Sequence, residues 1–300
     1  MIGIIHFAYG APKSIDDISS YFNHILNGRT IPAAMLEKTV ESFKKTGYAD
    51  FIRASTERIA TGLAILLNER FEEEVHVYNA YKHTAPFVEE TIEKMVEEGV
   101  TTVVTLPINP IYSKTGSGAL HEEVTSLLEG KQIKVIQLNS WHTHPAIVLV
   151  YAERVRRAFD WLPAKAQESS YVLFTVHSQP VDPERNKLYV KQFEELARAI
   201  ATKAQIKNYQ LTYRSSAGKE HWLSPDVKDA IRFLHAEGAE GFVTCELLSL
   251  SADLESYNEV GEECQKICQE LGAAFAISEF PSDSFDTVYA LAEIVEQHIK

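Results

Sequence analysis

The sequence predicts an α/β protein of two similar Rossmann-like, doubly wound halves, each a four-stranded parallel sheet flanked by helices. Three observations predict it. Apolar, β-branched runs alternate with longer segments of helical period. The alternation supplies four runs in each half of a 300-residue chain. Several of the runs lack a polar face, as strands covered on both sides do. The halves are drawn at 1–150 and 151–300, with the last helix, 284–299, expected to pack back on the first half.

In the first half the strands are "IGIIHFAY" (2–9), "EVHVYNAY" (74–81), "TTVVTLPI" (101–108) and "IKVIQLN" (133–139). A helix over "APFVEETIEKMVEEG" (85–99) ends on a glycine stop. The helical "PAIVLVYAERVRRAFDWL" (145–162) leads into the second half. There the strands are "YVLFTVHS" (171–178), "NYQLTYRS" (208–215), "GFVTCELL" (241–248) and "AAFAISEF" (273–280), with helices at 189–204 and 224–238 between them. "EEGVTTVVTLPI" and "AEGAEGFVTCEL" are one device used in both halves: helix, glycine stop, strand, polar strand end. A cleft between such halves is the expected binding site.

Composition narrows the function. Hydrophobic residues make up 45% and charged residues 24%, as in soluble globular proteins. Twenty-nine Lys and Arg against 42 Asp and Glu leave a net charge of −13 with no basic cluster to relieve it, which disfavours nucleic acid as a partner. The start, "MIGIIHFAYGAP", has no basic region and no cleavage site, and no apolar run approaches the roughly eighteen residues that span a bilayer. Three cysteines (Cys245, Cys264, Cys268) make neither a disulfide framework nor a four-thiolate cluster. A reduced, cytoplasmic protein is the expectation.

Several chemistries are disfavoured by missing motifs. Tyr9-Gly10-Ala11-Pro12 stands where a dinucleotide site would carry G-x-G-x-x-G. "SKTGSGA" (113–119) is not a P-loop and reads as a flexible loop, at most a weak anion nest. No G-x-S-x-G elbow is present. "WHTHP" (141–145) places His142 and His144 at a spacing that can hold a transition metal. A zinc site needs further ligands, so surface histidines are the plainer reading.

More is carried by "YVLFTVHSQP" (171–180), a buried strand that ends on His177 and is stopped by proline. The carboxyl ends of parallel strands open onto the ligand crevice, so His177 is expected to face it. Alone, a strand-end histidine is more often bonded to a neighbouring loop. In "SADLESYNEVGEEC" (251–264), Glu255, Glu259 and Glu263 recur every fourth residue, which stacks carboxylates on one helical face. Their mutual repulsion is relieved by a cation or a proton between them, or by water if the face is simply solvated. A helix begins just beyond the strand "GFVTCELL", and Glu255 in its first turn would share the rim with His177, making an acid/base or metal-handling pair. Tyr9, Lys82, His83 and Trp222 are placed around the same pocket.

With these residues in view, nearly the whole chain resembles ferrochelatase, particularly the bacterial coproporphyrin-type enzymes. The family's A-Y-G-x-P stands here in "FAYGAP" (7–12), its K-H at Lys82-His83 before "PFVEETI", and its A-H-S-x-P as "VHSQP". Its D-H-L-E helix start is "ADLESYNE" and its W-L-x-P-D is "WLSPDV" (222–227). The resemblance implies a two-lobed chelatase fold that inserts Fe(II), a substrate, into a porphyrin, with no organic cofactor. It implies His177 and Glu255 as catalytic residues and metal contacts. His177 acts as proton acceptor or ligand. Glu255 ligates iron, neutralises charge or relays protons. Glu259 and Glu263 are implied at an outer divalent-cation site, and Tyr9, Arg29, Lys82 and Trp222 as porphyrin-binding residues. A monomer handling porphyrin and ferrous iron completes the expectation.

The chain departs from the family on the propionate side. The G-G-x-S-P-L segment reads Gly47-Tyr48-Ala49-Asp50-Phe51-Ile52, and the arginines expected near the propionates read Leu26, Asn27 and Ser42, leaving Arg29. Arg214, which replaces a glutamine, Lys82 and Lys219 are candidate substitutes for those arginines. Ala252-Asp253 replaces D-H, and "ELLSL" (246–250) replaces P-V-G-F. The reading carried forward is a chelatase acting on coproporphyrin III. A non-catalytic porphyrin or haem carrier, or a chelatase for another metal or tetrapyrrole, is the alternative.

Overall fold

Every residue of Ile2–Ala8 is buried, because this strand, β1, takes an interior place in its sheet. In the computed structural model, which describes residues 1–45, 51–216 and 218–300, β1 pairs in parallel with β2 (Val75–Tyr81) and with β3 (Thr102–Pro107). β4 (Lys134–Gln137) joins β3, giving the order β2-β1-β3-β4. The second sheet repeats the plan with β5 (Tyr171–His177), β6 (Tyr209–Arg214), β7 (Gly241–Glu246) and β8 (Ala274–Ile277), in the order β6-β5-β7-β8. All of these pairings are parallel. The eight strands fall within the eight runs read from the sequence.

The chain divides into one compact unit of residues 1–108, 114–139 and 282–300, and another of 109–113 and 140–281. Helix Pro145–Asp160 lies in the second unit, packed on helix Pro183–Ala204. The last helix, Phe285–Ile299, packs on helix Phe51–Arg70 of the first unit. Gly62 is what lets those two helices approach: a Cβ there would stand 2.9 Å from a Val288 methyl.

Each sheet carries its own core. In the first unit Ile5, Phe7 and Val103 pack against Val88, Ile92 and Leu120 of the covering helices. In the second, Leu173 and Phe242 meet Ile231, Cys264 and Cys268. All three cysteines are free and buried. Burial pushes the Cys245 and Cys268 thiols up to about 12, so they are packing groups rather than nucleophiles.

Local signals explain where reading and structure differ. Helix Pro183–Ala204 starts six residues before the predicted 189, because the Asp182 carboxylate accepts from the amides of Glu184 and Arg185 and Pro183 opens the first turn. "SKTGSGA" is not a loop: Lys114–Gly118 is a π-helical turn running into helix Ala119–Leu127. A second π-helical stretch, Tyr257–Glu263, separates the short helix Leu254–Ser256 from Cys264–Leu271. Among the described residues, no helix is long and apolar enough to cross a membrane.

Candidate functional site

Three strands of the second sheet deliver one residue each to a common point. His177 ends β5, Arg214 ends β6 beside it in register, and Glu246 ends β7. This is the carboxyl edge of a parallel sheet, where ligands bind in folds of this kind. Asp253 and Glu255 come from the turn and short helix that follow β7.

His177 is held from behind. Its Nδ1 lies 2.5 Å from the Ser178 carbonyl, which only accepts, so Nδ1 carries the proton and Nε2 the lone pair of the neutral ring. The strand ends at His177, before Pro180, and the following loop is stitched to residues 221–223. Val181 N–H donates to His221, Leu223 N–H to Gln179, and Ser178 Oγ to Leu223. Trp222 bridges to Pro180 in that seam, with the Lys219 ammonium 4.0 Å from its ring centroid.

Nε2 of His177 faces Oε2 of Glu255 at 3.5 Å. While the ring is neutral, both atoms are acceptors with no hydrogen between them. A proton or a cation placed there satisfies both. Burial pulls the His177 imidazole below its ordinary pKa, and the Arg214 charge adds to this, against the opposing pull of Glu255. Burial alone would raise Glu255, but Arg214, His177 and a hydrogen bond from Ser215 outweigh it and hold the carboxylate at about 2. The pair at neutral pH is therefore a neutral imidazole beside an ionised carboxylate.

Arg214 is buried and points each guanidinium nitrogen at a different carboxylate: Nε to Glu246 at 3.2 Å, Nη2 to Asp253 at 3.2 Å and Nη1 to Glu255 at 2.6 Å. It is thus fully engaged inside the protein, and the expectation that it grips a propionate is corrected. Burial raises Glu246 to about 7 despite the opposing Arg214 charge.

The three glutamates read as one face form a line with built-in partners. Ser215, at a left-handed φ of 61°, donates its N–H to Glu259 at 2.7 Å and sets its hydroxyl 2.8 Å from both Glu255 and Glu259. Lys228 holds Glu263 at 2.9 Å and stands 3.7 Å from Glu259. The cation these outer carboxylates face is the protein's own ammonium. Among the described residues, no three or more His, Cys, Asp or Glu side chains are grouped to hold a metal ion.

Three of the residues predicted in the first unit, Tyr9, Lys82 and His83, gather at its own strand ends. Tyr9 follows β1 and is 46% exposed, its ring edge on His83 with centroids 4.4 Å apart. The Lys82 ammonium lies 5.7 Å from the same ring centroid and donates to the Thr115 carbonyl. His24 Nδ1 meets His83 Nδ1 at 2.8 Å, so one donates and the other accepts. Burial, with the Lys82 and His24 charges, drives His83 down to about 3. Arg29 is exposed beyond helix Ile18–Ile25 and is not part of this cluster. Asp50, the expected propionate neighbour, lies outside the described residues.

His142 is not a surface residue: it is buried and bonded to Glu195 at 3.0 Å, while His144 precedes the first turn of helix Pro145–Asp160. The sequence reading missed Glu246, Ser215, Lys228 and His24. A carboxylate ending the apolar run "GFVTCE" was the available signal for Glu246. The others become partners only through folding.

Comparison with known proteins accords with this arrangement. The family model described as Ferrochelatase matches residues 1–299. The chain is 30% identical over 309 residues to coproporphyrin III ferrochelatase 2 of Bacillus cereus, covering 100% of this chain and 95% of that protein. It is 30% identical over 313 residues to the coproporphyrin III ferrochelatase of Anoxybacillus flavithermus, covering 100% and 97%. Among solved structures, SirB from Bacillus subtilis with Fe3+ superposes with a TM-score of 0.59 at 12% identity, over 99% of this chain and 95% of that one. CbiX, the terminal enzyme for biosynthesis of siroheme in denitrifying bacteria, gives 0.54 at 10% identity, over 100% and 99%. At such identities the two structures share the fold. The full-length family match and the curated relatives carry the rest: this chain belongs to the ferrochelatase family, enzymes that insert a metal ion into a porphyrin.

Proposed function

We propose that the chain inserts Fe(II) into coproporphyrin III, releasing two protons from the macrocycle as the metal–nitrogen bonds form. The observation that carries this reading is the facing of His177 Nε2 and Glu255 Oε2 across 3.5 Å at a sheet's carboxyl edge. A pyrrole N–H proton leaving the ring needs an acceptor, and an incoming cation needs oxygen or nitrogen donors in place of water. The two groups divide that work by their basicity. Glu255, held at about 2, is a poor proton acceptor at neutral pH and a good charge partner for iron. His177, neutral with its Nε2 lone pair forward, is the better proton acceptor.

Tyr9, Lys82, Arg29 and Trp222 are proposed as macrocycle contacts, through ring stacking or carboxylate pairing. Glu259 and Glu263 extend the carboxylate line outward as the outer cation site, where an arriving ion competes with Lys228. The relatives named for coproporphyrin III support the choice of porphyrin, at 30% identity.

The deciding experiment is anaerobic incubation with coproporphyrin III and Fe(II), following loss of the free-base visible bands, with protoporphyrin IX and His177→Ala run in parallel. Turnover with coproporphyrin III that depends on His177 is the expected result. Stoichiometric binding without turnover would overturn it in favour of a carrier.

A further inference from the structure

Arg214 shows 3% of its side chain to solvent and is shared three ways, one nitrogen to each of Glu246, Asp253 and Glu255. It does not clamp one carboxylate with two parallel bonds, the arrangement that serves simple ion pairing best. The oxygen that receives Nη1, Oε2 of Glu255, is the same atom that faces His177 Nε2. The acceptor offered to an arriving metal ion is therefore already occupied by a cation of the protein.

A first-row divalent ion bound to a carboxylate oxygen sits about 2 Å from it. On Oε2 of Glu255 it would stand within about 5 Å of Nη1 from any direction, where two cations repel strongly in a partly desolvated site. The guanidinium itself cannot lose its proton to relieve this. With Arg214 in place the three carboxylates carry one compensating charge. Without it, the His177–Glu255 pair has no guanidinium on the oxygen it offers.

We infer that Arg214 is a resident cation standing in for a metal ion at the His177–Glu255 pair, excluding free divalent first-row ions from it until the Nη1 contact yields. Arg214 is here a positioning residue acting through Glu255, and this rests on the pair being the metal-insertion site. Binding of an ion to the pair occurs at the expense of one guanidinium bond. In the substrate-free protein the arginine offsets part of the carboxylate charge.

The test is titration with Co(II) alone, without porphyrin, followed by calorimetry and by the visible absorption of bound cobalt. Arg214→Gln removes the charge but leaves Glu246 buried without a cation. The pair R214Q/E246Q replaces the buried ion pair by neutral amides, a change such sites commonly tolerate. Both variants should bind one Co(II) per chain about tenfold or more tighter than wild type, the scale of a single close charge contact. Arg214→Lys, which keeps the charge, should show a smaller gain than Arg214→Gln, and adding H177A to R214Q/E246Q should abolish its gain.

A folded R214Q/E246Q that binds Co(II) no tighter than wild type overturns the inference. So does a gain that survives H177A, or a wild type that already binds Co(II) at this pair as tightly. The proposed function is scored separately: a cobalt gain with no wild-type turnover sinks the chelatase reading and leaves the role of Arg214 standing. Turnover with no cobalt gain does the reverse.

Discussion

His177 and Glu255 meet as two acceptors 3.5 Å apart, the imidazole fixed by a carbonyl behind it and the carboxylate by Arg214 and Ser215. That opposition predicts unequal losses. His177→Ala removes the proton acceptor and should lower kcat/KM by about 100-fold or more, the usual scale of positioned acid/base catalysis. Glu255→Gln keeps shape and one acceptor oxygen but loses the charge, so its loss should fall more heavily on the KM for metal. Equal effects of both on KM alone, in steady-state assays, would contradict this division.

Ser215 makes a conformational prediction as well as a chemical one. Its φ of 61° is costly for a residue with a Cβ and natural for glycine. Ser215→Ala loses the hydroxyl that lies between Glu255 and Glu259 yet keeps the strain. Ser215→Gly loses the hydroxyl and the strain together. The glycine variant should be more stable than the alanine variant by about 1 kcal/mol in urea unfolding, while both lose the same metal-insertion activity. Equal stability would mean the left-handed turn relaxes when the hydroxyl is gone.

Acid should weaken the fold through its buried imidazoles. His6 is fully buried in β1 against Asn79, and burial takes it from 6.5 to about 4. A depressed histidine stays neutral in the folded chain while the unfolded chain takes up a proton. The stability it supports is whole above pH 6.5 and falls as pH drops toward 4. For His6 the full loss is about 3 kcal/mol, and His83, driven to about 3, adds to it in the same direction. Urea midpoints measured from pH 7.5 to 4.5 should fall, and His6→Gln should flatten that fall. An unchanged slope in His6→Gln would show that other groups set it.

The close approach at Gly62 gives a prediction whose sign depends on its neighbour. Alanine in a helix gains about 1 kcal/mol over glycine, but here its Cβ meets a stiff Val288 methyl at 2.9 Å. Overpacking of that kind costs about 1–3 kcal/mol. Gly62→Ala should therefore destabilise the wild type and stabilise a Val288→Ala background, in a double-mutant cycle of thermal midpoints. Stabilisation in both backgrounds would mean the two helices move apart freely.

The strands were legible because the interior runs, β1 and β3 in one sheet and β5 and β7 in the other, are almost wholly buried, and the edge runs keep the same apolar, β-branched composition. The facing of His177 and Glu255 was legible for a related reason: one closes an apolar run and the other lies just beyond the next, so both fall at the carboxyl edge of one parallel sheet. Arg214 was seen but given the wrong task, because its three carboxylates come from β7 and the turn after it. The line Glu255, Glu259, Glu263 was legible as a spacing, whereas its compensation by Ser215 and Lys228 was not. Those two partners lie on other elements and carry no pattern of their own. The glycine-containing 113–119 segment was misread because local composition favours a loop, while the π-helical turn is fixed by the helix it opens.

Both sheets run in the same order, and the last rung between their first two strands pairs Ala8 with Tyr81 in one and His177 with Arg214 in the other. The strand ends at and just past those rungs are the same address written twice. One copy holds mostly rings, Tyr9, His83 and His24; the other holds an imidazole, a guanidinium and carboxylates. Side chains at such strand ends take no part in the backbone ladder. A frame laid down in duplicate can thus let one copy specialise in handling charge while its twin keeps an aromatic surface, and an exchange in either set leaves the hydrogen bonding of both sheets untouched.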